Sequence, residues 1–444
     1  MDEGWTPPEG ERALGLGFYL TRTPGLMARY KLTAEDFRVT EISAHPIPDP
    51  VGAFTVLRIE SRNWEQHELS RRLARELRLP PNAIRWAGTK DRRAVAERLA
   101  SYRGAPPSGP IEIPGVDVRE VYRARDGLVL GHHFGNAFDI RLSFAHVGRP
   151  TLENAARATL EELRRQNGLP NLFGPQRFGE VRPVTHAVGR ALLAGKVSDA
   201  VEVYLTAIPP GDDTLGVEAR RAYAQHHDPA RALHEFPPQF SFERQMLEHL
   251  ARGHSPDRAF RSLARELRLL FVHAYQSLLF NRWVTERWRS GLSLVEPVEG
   301  DQVLRVGRDG TVSGTDPVPV DSSNLAEVRE TVRRGGARLA GPLVGYATPD
   351  LPGSGGELAN RLLAEEGVTR RDFLLPATPE LASAGSSRPV WVNLPPIAWE
   401  LECTPARPAE EEDGIRLRFA LPKGTYATIL LREFLKSGAT TRSG

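Results

Sequence analysis

Strand-like alternation at both ends of the chain, separated by a helical and turn-rich middle, is the feature that most constrains the fold. Residues 54–59 and 137–142 read as strands, and alternation returns at 390–392 and 415–419. Helical spacing occupies 68–78 and 152–165 near the first strands, then dominates at 185–193 and 242–289, whereas 295–387 is rich in turn residues. A sheet whose strands lie at both ends has to be assembled from both. The predicted architecture is therefore α+β: a mixed sheet with helices built from residues 1–184 and 388–444, interrupted by an inserted α+β domain at 185–387.

Composition bounds what such a chain can do. Its 444 residues, 40% of them hydrophobic, suffice for two packed cores. A single cysteine, Cys403, excludes an internal disulfide and a Cys-rich zinc site and fits a reducing compartment. The N-terminus is acidic and proline-bearing, unlike a signal peptide, and the most apolar stretch, 269–280, is broken by His273, Gln276 and Ser277 and is too short to span a bilayer. A soluble cytoplasmic protein is expected. There is no internal repeat and no long low-complexity tract.

The stretch Trp86-Ala87-Gly88-Thr89-Lys90-Asp91-Arg92-Arg93-Ala94-Val95 carries the densest chemistry. Residues 83–86 read as a short strand, Gly88 marks a turn, and 92–100 has helical composition, which puts Asp91 between cations at a strand-to-helix junction. Two readings stand: Asp91 caps the following helix, or it is a carboxylate held for covalent chemistry. Lysine usage bears on the choice. Of 58 basic residues only five are lysine (Lys31, Lys90, Lys196, Lys423 and Lys436), so a compact ammonium has been kept where arginine does the ordinary surface work.

A second dense segment is LPNLFGPQRFG at 169–179. Phe173 can stack on a base, Asn171 and Gln176 can read hydrogen-bonding edges, and Arg177 can hold a phosphate. An ordered loop whose phenylalanines plug the core explains the same residues. Charge distribution points the same way as the first reading, since residues 71–125 hold twelve Arg and one Lys against six acids, a local net charge of +7 in a chain with +2 overall. Leu69, Leu73 and Leu77 recur every four residues, however, so Arg71, Arg72, Arg75 and Arg78 are equally the outside of a helix.

These motifs together resemble the TruD family of pseudouridine synthases. The resemblance is carried by AGTKDRRAV around Asp91, NLFGPQRFG, Glu35-Asp36-Phe37-Arg38-Val39-Thr40-Glu41, Ala274-Tyr275-Gln276-Ser277-Leu278-Leu279-Phe280-Asn281, and LPKGTYATILLRE at 421–433, in the family's order. A shorter match is Gly135-Asn136-Ala137-Phe138-Asp139-Ile140, and Arg62-Asn63-Trp64 is most similar to archaeal members. The resemblance implies a pseudouridine-synthase core with a family-specific insertion, acting on RNA, with uridine 13 of tRNA the favoured target. It implies Asp91 as catalytic nucleophile, Lys31 as the cation beside it with Lys90 adjacent in sequence, and Phe37, Asn171 and Tyr426 as contacts to the target nucleotide. Phe173, Gln176 and Arg177 would shape the same wall. The reaction needs neither cofactor nor metal. A half-buried helix face accounts for Tyr275, Gln276 and Asn281 better than direct chemistry does.

The chain departs from the family pattern at Ser61, where relatives carry lysine, at Glu65-Gln66 and at Ala96-Glu97-Arg98. These bear on RNA contacts and substrate choice, not on Asp91. Two rivals share part of the pattern: a catalytically inactive RNA-binding module and a nucleoside or glycoside hydrolase. The module would have no use for Asp91, and the hydrolase normally needs a second catalytic acid, for which no motif stands out. Oligomeric state is not fixed by the sequence, with a monomer the expectation.

Overall fold

The strand that follows the Asp91 motif lies inside the larger sheet, paired on both of its edges. The computed structural model describes residues 5–26, 28–90, 93–144, 149–179, 182–209, 215–307, 310–312, 316–393, 400–404 and 413–436. In chain order its strands are β1 (Arg29–Tyr30), β2 (Phe37–Ser43), β3 (Phe54–Arg62), β4 (Arg85–Trp86), β5 (Val95–Arg103), β6 (Val116–Ala124), β7 (His133–Phe144), β8 (Gly168–Pro170), β9 (Gln302–Arg305), β10 (Val318–Pro319), β11 (Ala337–Leu343), β12 (Ser386–Pro389), β13 (Trp391–Asn393), β14 (Glu400–Thr404) and β15 (Asp413–Pro422).

Two compact units divide the chain. One comprises residues 1–5, 19–169 and 392–444, the other 6–18 and 170–391. The segment 170–184 thus groups with the middle of the chain, not with the first part, as do 388–391. The reason lies in hydrogen bonds: Asn171 N–H donates to Val390 O (2.7 Å), and Arg388 donates to Asn171 O (2.9 Å).

The first unit holds the sheet β14-β15-β7-β2-β5-β3-β6, with β1 added on β7 and β4 on β5. Every pairing is antiparallel except β2 with β5, where Arg38 lies opposite Val95. The sheet is mixed and largely antiparallel, as the strand-bearing ends require. Residues 92–100, expected to be helical from their composition, instead run into β5. Covered by side chains on both faces and paired along both edges, this strand is held by tertiary context that outweighs the helix propensity of Ala, Glu, Arg and Leu.

One layer over the sheet is the helix Gln66–Glu76. Glu65 caps it by accepting Glu68 N–H (2.9 Å), and Leu69, Leu73 and Ala74 are buried against Leu57, Ile59, Trp86 and Tyr102. Each buried leucine contributes about 1.5–3 kcal/mol relative to exposure. Arg71 and Arg75 lie exposed on this helix and Arg78 just past its end, an arrangement that fits both readings of that arginine run.

The second unit is built on the 25-residue helix Arg265–Arg289, buried on most sides. Short helices at Thr185–Leu193, Val197–Thr206, Val217–His226, Pro229–Glu235, Ser241–Ala251 and Pro256–Arg261 precede it; the first and the last two lie where the spacing predicts helix, and the other three were not foreseen. Residues 295–387 are more regular than their turn-rich composition suggests. They form the antiparallel sheet β10-β9-β11-β12 with helices Leu325–Arg333 and Gly353–Glu366. A buried ion pair, Arg287 to Asp301 at 2.7 Å, ties the end of the long helix to the start of this sheet.

Candidate active site

Asp91 lies on the connection from β4 to β5 and, with Arg92, falls outside the described residues. Because β5 opens at Val95, no helix follows for Asp91 to cap, and the capping reading loses its basis.

The residues just before Asp91 are pinned. Ala87 O accepts Gly131 N–H (2.7 Å) and lies 3.1 Å from His133 Nδ1. Lys90 Nζ meets Glu41 Oε2 at 2.7 Å, with the two side chains 3% and 0% exposed. The other oxygen of Glu41 accepts Ser43 Oγ–H (2.8 Å). The backbone passes so close that a Cβ at Gly88 would stand 3.0 Å from Glu41 Oε2 and 3.1 Å from Lys90 Nζ, so a larger residue would press on the ion pair. Burial, followed by the charge of Lys90, holds His133 below the ordinary histidine range, which keeps its ring neutral at pH 7.

Lys31 and Phe37 are brought together. Lys31 is buried in the left-handed region (φ 58°), and its ammonium stands 4.4 Å from the centre of the Phe37 ring. The intervening turn at Ala34–Asp36 is fixed by Thr33, whose N–H and hydroxyl both donate to Asp36 Oδ2 at 2.8 and 3.0 Å. Phe37 is buried and meets Phe138 edge-on at 6.0 Å, while Phe138 stacks on Phe419 at 5.3 Å. It is therefore a core residue and a cation platform at once. Tyr426 is half-buried immediately before the helix Ala427–Leu435.

The second unit carries the other segment. Asn171 is buried, its amide donating to Pro389 O (2.9 Å) and its oxygen accepting from Arg388 (2.7 Å), so part of its hydrogen-bonding capacity is spent within the fold. Phe173 packs edge-on to Phe280 at 5.6 Å and lies beneath the Arg388 guanidinium, 4.1 Å from its ring centre. Arg177 donates to Ser277 Oγ (3.0 Å), and the half-buried Gln176 shares its 3₁₀ turn, Pro175–Arg177. Asn281 anchors the loop: its oxygen accepts Phe173 N–H (2.8 Å), and its amide donates to Phe173 O (3.0 Å) and Leu14 O (2.9 Å). Tyr275, Gln276 and Asn281 are buried, not half-buried.

Not all of the basic segment faces solvent. Arg98 is buried with its guanidinium 4.3 Å over Trp86 and bonded to Gln66 Oε1 (2.8 Å), and burial lowers its pKa to about 10. Two departures from the family pattern, Gln66 and Arg98, are thus partners. Arg119 pairs with Glu60 (2.8 Å) and Asp117 (3.4 Å). Sequence reasoning assigned no role to Glu41 or Arg388. An acid inside a strand pattern was a signal for Glu41, whereas nothing local marks Arg388. Among the described residues, no group of three or more His, Cys, Asp or Glu could hold a metal.

Comparison with known proteins covers nearly the whole chain. The family model for tRNA pseudouridine synthase D (TruD) matches residues 13–434. A relative from Halobacterium salinarum is 36% identical over 440 residues, 96% of this chain and 97% of that protein. One from Pyrococcus abyssi is 35% identical over 422 residues, 94% and 98% of the two chains, and both carry the name "Probable tRNA pseudouridine synthase D". The crystal structure of a Methanosarcina mazei protein described as TruD matches with a TM-score of 0.80 at 32% identity, covering 97% of this chain and 98% of that one. Full-length similarity of this order, through both compact units, places the chain in the tRNA pseudouridine synthase D (TruD) family.

Proposed function

We propose that the protein isomerises uridine to pseudouridine in tRNA, at position 13, with Asp91 as nucleophile. The uridine N1–C1′ bond breaks, the base turns, C5 bonds to C1′, and the C5 proton is lost as N1 gains one, so atoms balance without cofactor or metal. Full-length family membership is the observation that carries the reading, and neither the binding-module nor the hydrolase alternative finds support in the relatives. Asp91 would attack from a connection pinned at Ala87 and Lys90. Lys31 would supply the opposite charge that keeps a carboxylate ionised in a dry site. Phe37 and Tyr426 would offer apolar surface to the target nucleotide, and Asn171 its remaining amide capacity to the uracil edge, with Phe173, Gln176 and Arg177 shaping that wall. Residues 1–5, 19–169 and 392–444 would then form most of the catalytic domain. We take the working unit to be a cytoplasmic monomer. Among the described residues no helix is long and apolar enough to cross a membrane.

The test is to incubate the protein with unmodified tRNA and map pseudouridine by carbodiimide-dependent reverse-transcription stops. A stop at position 13, absent with Asp91→Asn while RNA binding and folding persist, is the expected result. Free uracil would indicate a hydrolase, and unchanged RNA a binding module.

A further inference from the structure

The turn leading into β7 is unused by the reading above. His132 N–H donates to Val129 O (3.0 Å), and Gly131, third of the four residues, has φ 88°, as a type II turn requires. Leu130 is consequently the tip. Beneath it the turn is anchored on all sides. Leu128 is buried with its N–H on Ser101 Oγ (2.9 Å), Gly131 N–H is on Ala87 O (2.7 Å), and Gly131 O accepts from Lys423 Nζ (2.9 Å). Above the anchors, Leu130 is 70% exposed and Val129 and Phe134 are 50% exposed each.

Single exposed apolar residues are ordinary on protein surfaces. Three within six residues, two on a turn hydrogen-bonded to the connection that carries Asp91 and one at the start of β7 just after it, are a built feature whose apolar area has value only against something else. We propose that Val129, Leu130 and Phe134 form an apolar wedge that enters the RNA beside the target uridine and fills the stacking gap left when that nucleotide is extruded. The proposal rests on the pseudouridine-synthase reading for its substrate. Extrusion exposes the π faces of the neighbouring bases, and a rigid apolar tip replaces the lost stacking without needing hydrogen-bond partners. Contiguity with the Asp91 connection puts the tip where that gap opens, and the exposed Lys423 beside it suits a phosphate-bearing occupant.

Leu130→Ser and Phe134→Ala, alone and together, test this by single-turnover conversion of folded tRNA and of an unstructured fragment with the same sequence around the target. The ratio of the folded to the unstructured rate is expected to fall about tenfold in the double variant, the scale of one lost stacking contact. An unchanged ratio overturns the wedge, whether both rates fall or neither does. Lost self-association at an unchanged ratio reassigns the patch to a second copy of the chain. A 2-aminopurine placed 3′ of the uridine in a hairpin gives a readout independent of chemistry. Its fluorescence should rise on binding wild type and not on binding the double variant, so the wedge is tested even if no pseudouridine forms.

Discussion

The ammonium of Lys90 is 2.7 Å from the Glu41 carboxylate, and neither side chain reaches solvent. The charge that directly precedes Asp91 is thus held by a carboxylate from β2. Glu41→Gln would take the carboxylate out of this buried ion pair, and the expected cost is about 3–5 kcal/mol. Urea unfolding should show it, together with a fall in turnover larger than any fall in RNA affinity. An unchanged midpoint would mean that the pair is solvated.

The family pattern nominates Lys31 as the partner of Asp91, and that pairing is expected. Lys31→Met removes a positive charge from the site, which disfavours an ionised carboxylate, so the acid limb of the pH–rate profile should move to higher pH with RNA affinity little changed. Arginine at this position should rescue only in part, because its planar fork does not fit the place of a compact ammonium above the Phe37 ring. Weakened RNA binding with an unaltered profile would make Lys31 a phosphate contact.

Asn281 makes three hydrogen bonds to the backbone of Phe173 and Leu14. Asn281→Ala should destabilise the protein by about 3 kcal/mol, since it strands buried backbone groups on both partners. Asn281→Asp is the sharper variant: it keeps the acceptor for Phe173 N–H but turns a carboxylate oxygen toward two carbonyls. Calorimetry would separate the two, with Asp no better than Ala.

Acid sensitivity is expected at His186, which packs edge-on to Phe178 at 5.6 Å and whose pKa falls to about 4 through burial, then through the Arg282 charge. The unfolded chain takes up this proton near pH 6.5, the folded chain only near 4. Its contribution to stability is complete above about 6.5 and is lost as pH falls toward 4. His186→Leu should flatten the pH dependence of the melting temperature in that window. A wild-type slope there that survives the substitution would exonerate this residue.

The strands at the two ends were legible because period-two alternation survives wherever one sheet face is covered more than the other. The interior strand β5 was not: Ala96-Glu97-Arg98-Leu99-Ala100 has helical composition, and only pairing on both edges makes it a strand. The helix Gly353–Glu366 was hidden for the opposite reason. Its first turn is glycine-rich because a Cβ at Gly355 would lie 2.3 Å from Asp301 Oδ1, so packing dictated residues that read locally as a loop. The site was legible as motifs but not as partnerships. Glu41 and Lys90 are 49 residues apart, and Asn171 and Arg388 are 217, separations at which local periodicity carries no information.

The pairing of β7 with β15 joins Phe144 to Asp413 and Gly135 to Pro422. On the ribosome the first seven strands emerge long before their last neighbour, and at about 5–20 residues per second the intervening segment takes roughly 15 to 50 s to synthesise. For that interval the nascent chain presents a long strand edge with unpaired N–H and C=O groups, a template for pairing with a neighbouring polypeptide. Growth of the middle segment is thus a vulnerable phase of biogenesis, and a chain cut short before Asp413, as on a nuclease-cleaved message, would keep an open edge that makes it a client for chaperones.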